Sequence, residues 1–171
     1  GQGEVIVNEA GQRLSVLGTA HDVTERMEVE QERDRLAMIV ESSNDAIFSI
    51  SLDNIITSWN RGAEIIFDYS ANEIIGRPIF TLLPADRYAE RDHIIQTILS
   101  GKHIRHFETT RLRKDGGQIY VSITTSPLLN SAGKVIGNSV IARDVTERRK
   151  MEAIIQHQAH HDTLTDLPNR Q

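Results

Sequence analysis

Apolar residues alternate with polar ones in several short runs of this chain, a spacing typical of strands. Two such runs, at residues 46–51 and 55–59, are joined by Asp53 and Asn54, a favourable turn pair. Three more strands are predicted near residues 106–113, 118–126 and 135–143, with turns at 115–117 and 130–133. The chain therefore predicts a sheet built from two groups of strands.

Helical spacing fills the stretch between the two strand groups. Asn60 can cap a short helix through Phe67, and Ser70 with Glu73 matches a capping box. Residues 86–100 predict a longer helix that Gly101 ends. The order β-β-α-α-α-β-β-β predicts an α+β domain, an antiparallel sheet with helices on one face.

An internal repeat sets the domain layout. The segment Asn-x-Ala-Gly at 8–11 recurs at 130–133, and Asp-Val-Thr-Glu-Arg at 22–26 recurs at 144–148; both offsets are 122 residues (130 − 8 and 144 − 22). A period of this length is a whole domain, not a solenoid unit of about 20–50 residues. We therefore expect residues 1–22 to be the closing strands of a preceding domain and residues 37–144 to be a complete second copy.

Each copy ends in a strand that is predicted to pass directly into a helix. Asp144 with Glu147, like the equivalent pair in the first copy, matches a capping box with Asp at the N-cap. Residues 23–36 and 145–160 are thus predicted to be helical linkers. The second linker has a narrow apolar stripe, which could pair in a coiled coil or pack on its own domain: Met151, Ile154, Ile155 and Gln158. We expect pairing, which would make a homodimer through the flanking helices.

Composition excludes several classes of function. The net charge of −5 without a basic stripe gives no support for a nucleic-acid partner. The absence of cysteine excludes disulfides, thiolate zinc sites, iron–sulfur clusters and cysteine nucleophiles. No apolar run approaches the ~20 residues of a spanning helix, and we expect no signal peptide. We expect a cytoplasmic domain without direct membrane contact, although an anchor upstream stays open.

Five short motifs in a fixed order resemble the PAS family of sensory domains over about residues 36–148. The residues that carry the resemblance are Ser-Ser-Asn-Asp-Ala-Ile at 42–47, Ile-Thr-Ser-Trp-Asn at 56–60 with Ala63-Glu64, Phe-Asp-Tyr-Ser at 67–70 with Glu-Ile-Ile-Gly at 73–76, Arg-Lys-Asp-Gly at 113–116, and Asp-Val-Thr-Glu-Arg at 144–148. The resemblance implies a five-stranded antiparallel PAS fold, signal sensing or relay, and dimerisation through flanking helices.

The tail resembles a different family. Residues 161–170 are similar to the opening helix of GGDEF domains, the diguanylate cyclases, so residues 161–171 are expected to start such a domain. The resemblance implies an output that makes cyclic-di-GMP. A histidine kinase would show Glu after the histidine, whereas Asp162 follows His161; PAS input to a kinase stays the alternative. Because the chain stops before the catalytic loop, we expect no catalytic residues and no enzyme activity in it.

Cofactor binding is the main chemical question for a PAS relative, since relatives bind haem, flavin, small acids or nothing. The adduct-forming flavin type needs a cysteine. Haem needs an axial ligand, most often a histidine on the long helix, but His93 falls opposite the apolar face at 100° per residue. We expect no cofactor; a flavin or haem redox or gas sensor is the alternative.

Three residues are candidates for a ligand pocket. Arg91 is centred on the apolar face of the long helix, where it could meet an anionic ligand, form a salt bridge or extend its charge to solvent. Trp59 and Asn60 end a strand beside the expected pocket. Their structural alternatives are a core position for Trp59 and a helix cap for Asn60.

Signal transmission is assigned to the motif at the start of the output helix: Asp144, Thr146 and Glu147. A capped junction fixes the angle at which the sheet meets the linker.

The histidines His157, His160 and His161 lie close in sequence, but without a third ligand of known position we expect no metal site.

Overall fold

The computed structural model describes residues 23–160, and the surroundings of side chains for residues 27–156. The chain divides into two compact units, residues 1–38 and 39–171. The closing strands predicted for residues 1–22, the first capping box and the GGDEF start at 161–171 lie outside the described residues. The linker prediction for residues 23–36 falls within helix α1, which the structure bounds at Val23–Glu41.

Up to residue 160, the second unit contains a five-stranded sheet and four helices after α1. Two 3₁₀ turns, at Ile79–Leu82 and Ala85–Arg87, precede the helix that lies between the two groups of strands. The elements in chain order are β1 (Ala46–Ser51), β2 (Ile56–Trp59), α2 (Arg61–Phe67), α3 (Ala71–Ile74), α4 (Tyr88–Leu99), β3 (Ile104–Leu112), β4 (Gln118–Leu129), β5 (Val135–Asp144) and α5 (Thr146–His160).

The sheet is antiparallel with the strand order β2-β1-β5-β4-β3. The first and last strands therefore lie side by side in its centre, with Ala46 opposite Ala142. Alternate residues of the strands point to one face and form the core with buried side chains of the helices. The predicted α+β architecture, an antiparallel sheet with helices on one face, is confirmed.

Local signals predicted most element ends. Asn60 caps α2 by accepting the N–H of Ala63, Ser70 and Glu73 form the capping box of α3, and Gly101 follows α4 with φ of +76°. Strand β4 runs to Leu129, beyond the predicted end at 126, because its pairing with β5 continues to Leu129 opposite Val135. Such an extension depends on a partner strand and has no local sequence signal.

None of the helices between residues 23 and 160 combines the length and the hydropathy that are needed to cross a membrane.

Candidate functional site

A small cavity lies between α4 and the inner face of the sheet. Its volume is about 30 Å³, and at about 10–15 Å³ per water in this measure it has room for roughly two or three waters. Most of the wall is aliphatic or aromatic, and one side is polar. The polar lining residues are Arg91, Arg111, Thr125 and Asn138; the apolar ones are Phe48, Ile50, Ile79, Leu83, Ile94, Ile123 and Val140.

Arg91 reaches this cavity from α4 and is only 3% exposed. Its Nε donates to Oδ1 of Asn54 at 2.6 Å, while Nη1 and Nη2 both point to Oδ1 of Asn138 at 3.4 Å. Asn138 is itself held by a bond from its Nδ2 to Thr125 Oγ1 at 2.8 Å. The guanidinium of Arg91 is therefore buried against neutral amides, with long contacts on its Nη side.

Arg111 is the second buried guanidinium on the cavity wall, 6% exposed. Its contacts run through Nη1, which donates to the carbonyl of Thr110 at 2.7 Å and to Thr109 Oγ1 at 3.2 Å, and lies 3.7 Å from Oε2 of Glu90. Sequence analysis missed this residue. The alternation of β3 carried the signal, since Thr109 and Arg111 are its two buried positions.

Burial disfavours the charged form of both arginines. It lowers the pKa of Arg91 to about 10, with the carboxylate of Asp92 opposing the shift and the positive charge of Arg111 adding to it. Burial also lowers the pKa of Arg111, against the stabilising carboxylate of Glu90. Both side chains remain cations at neutral pH, so the cavity concentrates positive charge in a poorly solvated place.

Trp59 and Asn60 are not among the residues that line this cavity. Trp59 packs between the rings of Phe48 and Phe67, with centroids 5.0 and 5.4 Å away, and its Nε1 donates to the carbonyl of Tyr69 at 3.0 Å. Its surroundings match the core alternative that the sequence left open.

The amide of Asn60 is occupied by the backbone. Its Oδ1 accepts the N–H groups of Ile47 at 2.8 Å and Ala63 at 2.9 Å, and its Nδ2 donates to the carbonyls of Val40 at 2.8 Å and Asp45 at 3.2 Å. With every polar atom satisfied, Asn60 joins the end of α1, β1 and α2.

The apolar face of α4 is buried along its middle and exposed at its two ends. Arg91, Ile94 and Ile98 are buried, but Tyr88 and Leu99 are 45% and 49% exposed, at the two ends of the helix. His93 is exposed, as its position opposite this face predicted.

The junction between β5 and α5 is fastened to a neighbouring strand. Asp144 Oδ1 accepts the N–H of Thr146 at 2.8 Å, and the hydroxyl of Thr146 accepts the N–H of Tyr120 in β4 at 3.0 Å. Glu147 does not complete the predicted capping box, because its carboxylate pairs with Lys150 at 2.9 Å. The N–H of Asp144, its expected partner, lies in the last position of a strand.

The first turn of α5 also contacts β3. Both Arg148 and Arg149 bind the carboxylate of Glu108, and the guanidinium of Arg149 lies 5.2 Å from the ring centre of Tyr120. These two arginines hold the pKa of Glu108 below its ordinary value. Exposed ion pairs of this kind contribute little each, so α5 is held at its base by several weak contacts.

Within the described side chains, no group of histidine, aspartate or glutamate residues is arranged to hold a metal ion. The side chains of His157, His160 and His161 lie outside the described residues. The expectation for that cluster stays a prediction.

Comparison with known proteins identifies the family to which this domain belongs. The PAS fold family matches residues 34–145, about two thirds of the chain, so the chain belongs to this family. A solved PAS domain from Colwellia psychrerythraea has the same fold, with a TM-score of 0.64 and 26% identity over 68% of this chain and 99% of that one.

Among curated proteins, the chain is 29% identical to the probable diguanylate cyclase DgcE of Escherichia coli, over 96% of this chain and 16% of that protein. It is 27% identical to the signal transduction histidine-protein kinase AtoS of the same organism, over 76% of this chain and 21% of that protein. The chain thus spans about a sixth to a fifth of these relatives, and it is a PAS module of the kind found in multi-domain signalling proteins.

Proposed function

We propose that this chain is a PAS sensory and relay module that passes the state of its core to an output domain through α5. The observation that carries the proposal is the junction itself. A single residue, Val145, separates β5 from α5, and its N–H donates to the carbonyl of Tyr120 at 2.9 Å. A shift of the central strands would therefore move the base of the helix. The module acts in the cytoplasm beside the domain it controls.

The output that we propose is a GGDEF diguanylate cyclase that makes cyclic-di-GMP. The resemblance of residues 161–170 to the start of such domains supports it. The alignment with DgcE supports it further, because a match over 96% of the chain extends beyond residues 34–145 on both sides. The alternative is PAS input to a histidine kinase, which the similarity to AtoS favours. The amino-acid sequence that follows Gln171 in the complete protein distinguishes the two.

Changing Asp144 to alanine tests the relay. The variant loses the bond to the N–H of Thr146, which we expect to cost about 0.5–2 kcal/mol, a small part of the ~5–15 kcal/mol that stabilises a domain. In the full-length protein, the variant should stay folded while the rate of cyclic-di-GMP formation no longer responds to the stimulus. The measurements are product formation with and without stimulus, and a thermal melt.

Asp115→Ala is the matched control. Its Oδ1 accepts the N–H of Gly117 at 2.8 Å, the same bond over two residues, but in the turn between β3 and β4. This control should lose similar stability and keep regulation. Normal regulation in Asp144→Ala would reduce the motif to a cap, and equal loss of regulation in both variants would argue against a role specific to the junction.

Dimerisation through the flanking helices is the second part of the proposal. The apolar stripe of α5 does not pack on its own domain, since Met151, Ile154 and Ile155 are 62%, 56% and 64% exposed. We expect the chain to have twice its own mass in solution, and the double variant Ile154→Asp, Ile155→Asp to have the mass of one chain. Light scattering at several concentrations measures both.

The control places a change on the exposed face of the sheet. Ile141 of β5 is 43% exposed, and Ile141→Thr keeps a β-branched side chain there. This variant should remain a dimer. If it dissociates while the α5 variant does not, the interface lies on the sheet.

A further inference from the structure

The cavity beside α4 has a charge that its own walls do not balance. Two guanidinium groups line it, those of Arg91 and Arg111. Among the side chains that the structure describes, Arg111 has a carboxylate within 4 Å, that of Glu90, and Arg91 has none. Asp92, which follows Arg91 on α4, is exposed. A buried cation without a paired anion is costly, and proteins seldom keep one unless something else supplies the charge.

The lengths of the hydrogen bonds of Arg91 also indicate that its guanidinium lacks an anionic partner. Charge-assisted N–H···O bonds are normally about 2.7–2.9 Å long. The Nε bond to Asn54 is that short, whereas both Nη atoms share one amide oxygen of Asn138 at 3.4 Å. The Nη edge of a guanidinium matches the two oxygens of a carboxylate, and here that edge has only a distant neutral acceptor.

The rest of the wall limits what the anion can be. Seven of the eleven lining residues are aliphatic or aromatic, so a hydrocarbon group is favoured opposite the charged edge. The volume of about 30 Å³ admits only a few non-hydrogen atoms. A monocarboxylate with a short hydrocarbon tail meets both conditions, and a bare inorganic ion leaves the apolar wall unused.

We infer that this cavity binds a small monocarboxylate of the size of acetate, with its carboxylate on Arg91 and Arg111 and its methyl group against the apolar wall. The inference rests on the sensory role proposed above and names the class of ligand for it. Asn138 and Thr125 hold the site from β5 and β4. Occupancy would draw α4 and the central strand β5 together, and β5 leads into α5.

Acetate binding to the complete 171-residue chain tests the inference. Sodium acetate should raise the melting temperature in a saturable way, since a ligand that binds only the folded state stabilises it by mass action. Acetamide has nearly the same shape without the charge and should give no shift. Sodium chloride at equal ionic strength should give none of the saturable part. Equal shifts with acetate and acetamide, or with acetate and chloride, would overturn the inference.

Arg91→Met removes the guanidinium and keeps an apolar stem, and it should weaken acetate binding at least tenfold by calorimetry. Arg77→Met is the matched control, because Arg77 is exposed and does not line the cavity. It should bind acetate like the unchanged chain. Undiminished binding in Arg91→Met, or equal losses in both variants, would refute the site.

NMR on the unchanged chain tests the site even if the Arg91→Met variant does not fold. Acetate should shift the NMR signals of the Arg91 and Arg111 side-chain N–H groups of the unchanged chain, and leave that of Arg77 in place. Unmoved signals for both cavity arginines would refute the site. Because these experiments need no output domain, their failure leaves the relay proposal standing, and failure of the relay leaves acetate binding standing.

Discussion

Replacing Asn60 with alanine is expected to lower the free energy of unfolding by about 3–5 kcal/mol. The side chain is 2% exposed, and its four hydrogen bonds go to four backbone groups. Each buried backbone group that loses its partner costs about 1–3 kcal/mol. We expect water to fill part of the space left by the shortened side chain and to bond some of these groups, so the total loss is smaller than four full penalties. Urea unfolding measures the change, provided that the slope of the free energy of unfolding against urea concentration is the same in both proteins.

Asn130→Ala is the matched control for that experiment. Asn130 also accepts two backbone N–H groups, those of Ala132 and Lys134 at 3.0 Å, but it lies in an exposed turn. Water can replace these bonds, so we expect a loss of less than about 1 kcal/mol. Similar losses for the two variants would show that the burial of Asn60 contributes little. Asn60→Asp, which keeps both acceptor bonds and loses both donor bonds, separates the cap of α2 from the tie to α1.

Gly137→Ala is expected to destabilise the domain by about 2–4 kcal/mol, because the change forces apart the two central strands. A Cβ at Gly137 would lie 2.3 Å from the carbonyl oxygen of Ile50 in β1, well inside contact distance. The obstacle is backbone, which cannot rotate away as a side chain can. Chemical denaturation measures the loss.

Gly133→Ala separates this steric effect from the general cost of replacing glycine. Gly133 has φ of +74° in the turn before β5, and a Cβ there would meet nothing within 4 Å. Its cost is backbone strain alone, about 1 kcal/mol. A loss at Gly137 no larger than that at Gly133 would mean that β1 and β5 can separate slightly without penalty.

The sequence was sufficient to predict those elements of the fold that depend on neighbouring residues. The strands, the cap at Asn60 and the box at Ser70 depend on residues within a few positions of each other, and all are present in the structure. Glu147 shows the limit of a motif, because its carboxylate pairs with Lys150 one turn further on and does not cap the helix. The ends of the strands depend on how far each strand pairs with its neighbour, and the spacing of residues within one strand does not show this.

The candidate site was predicted only in part for the same reason. Arg91 stood out because it interrupts the apolar face of one helix. Arg111 and Asn138 lie 20 and 47 positions away on strands, and only the folded sheet brings them to Arg91. Alternation along β3 and β5 marks both as inward-facing polar residues, and two such residues on the core side of one sheet are the signal to look for.

The adjacency of the first and last strands also dictates when the domain can fold. Ala46 and Ala142 pair across 96 positions (142 − 46), so the central contact of the sheet closes a long loop, which slows folding. At about 5–20 residues per second, the ribosome adds this stretch in about 5–20 s, and until then β1 has no partner on one side. The segment made next is α5, so the base of this helix is synthesised just as the sheet becomes able to close.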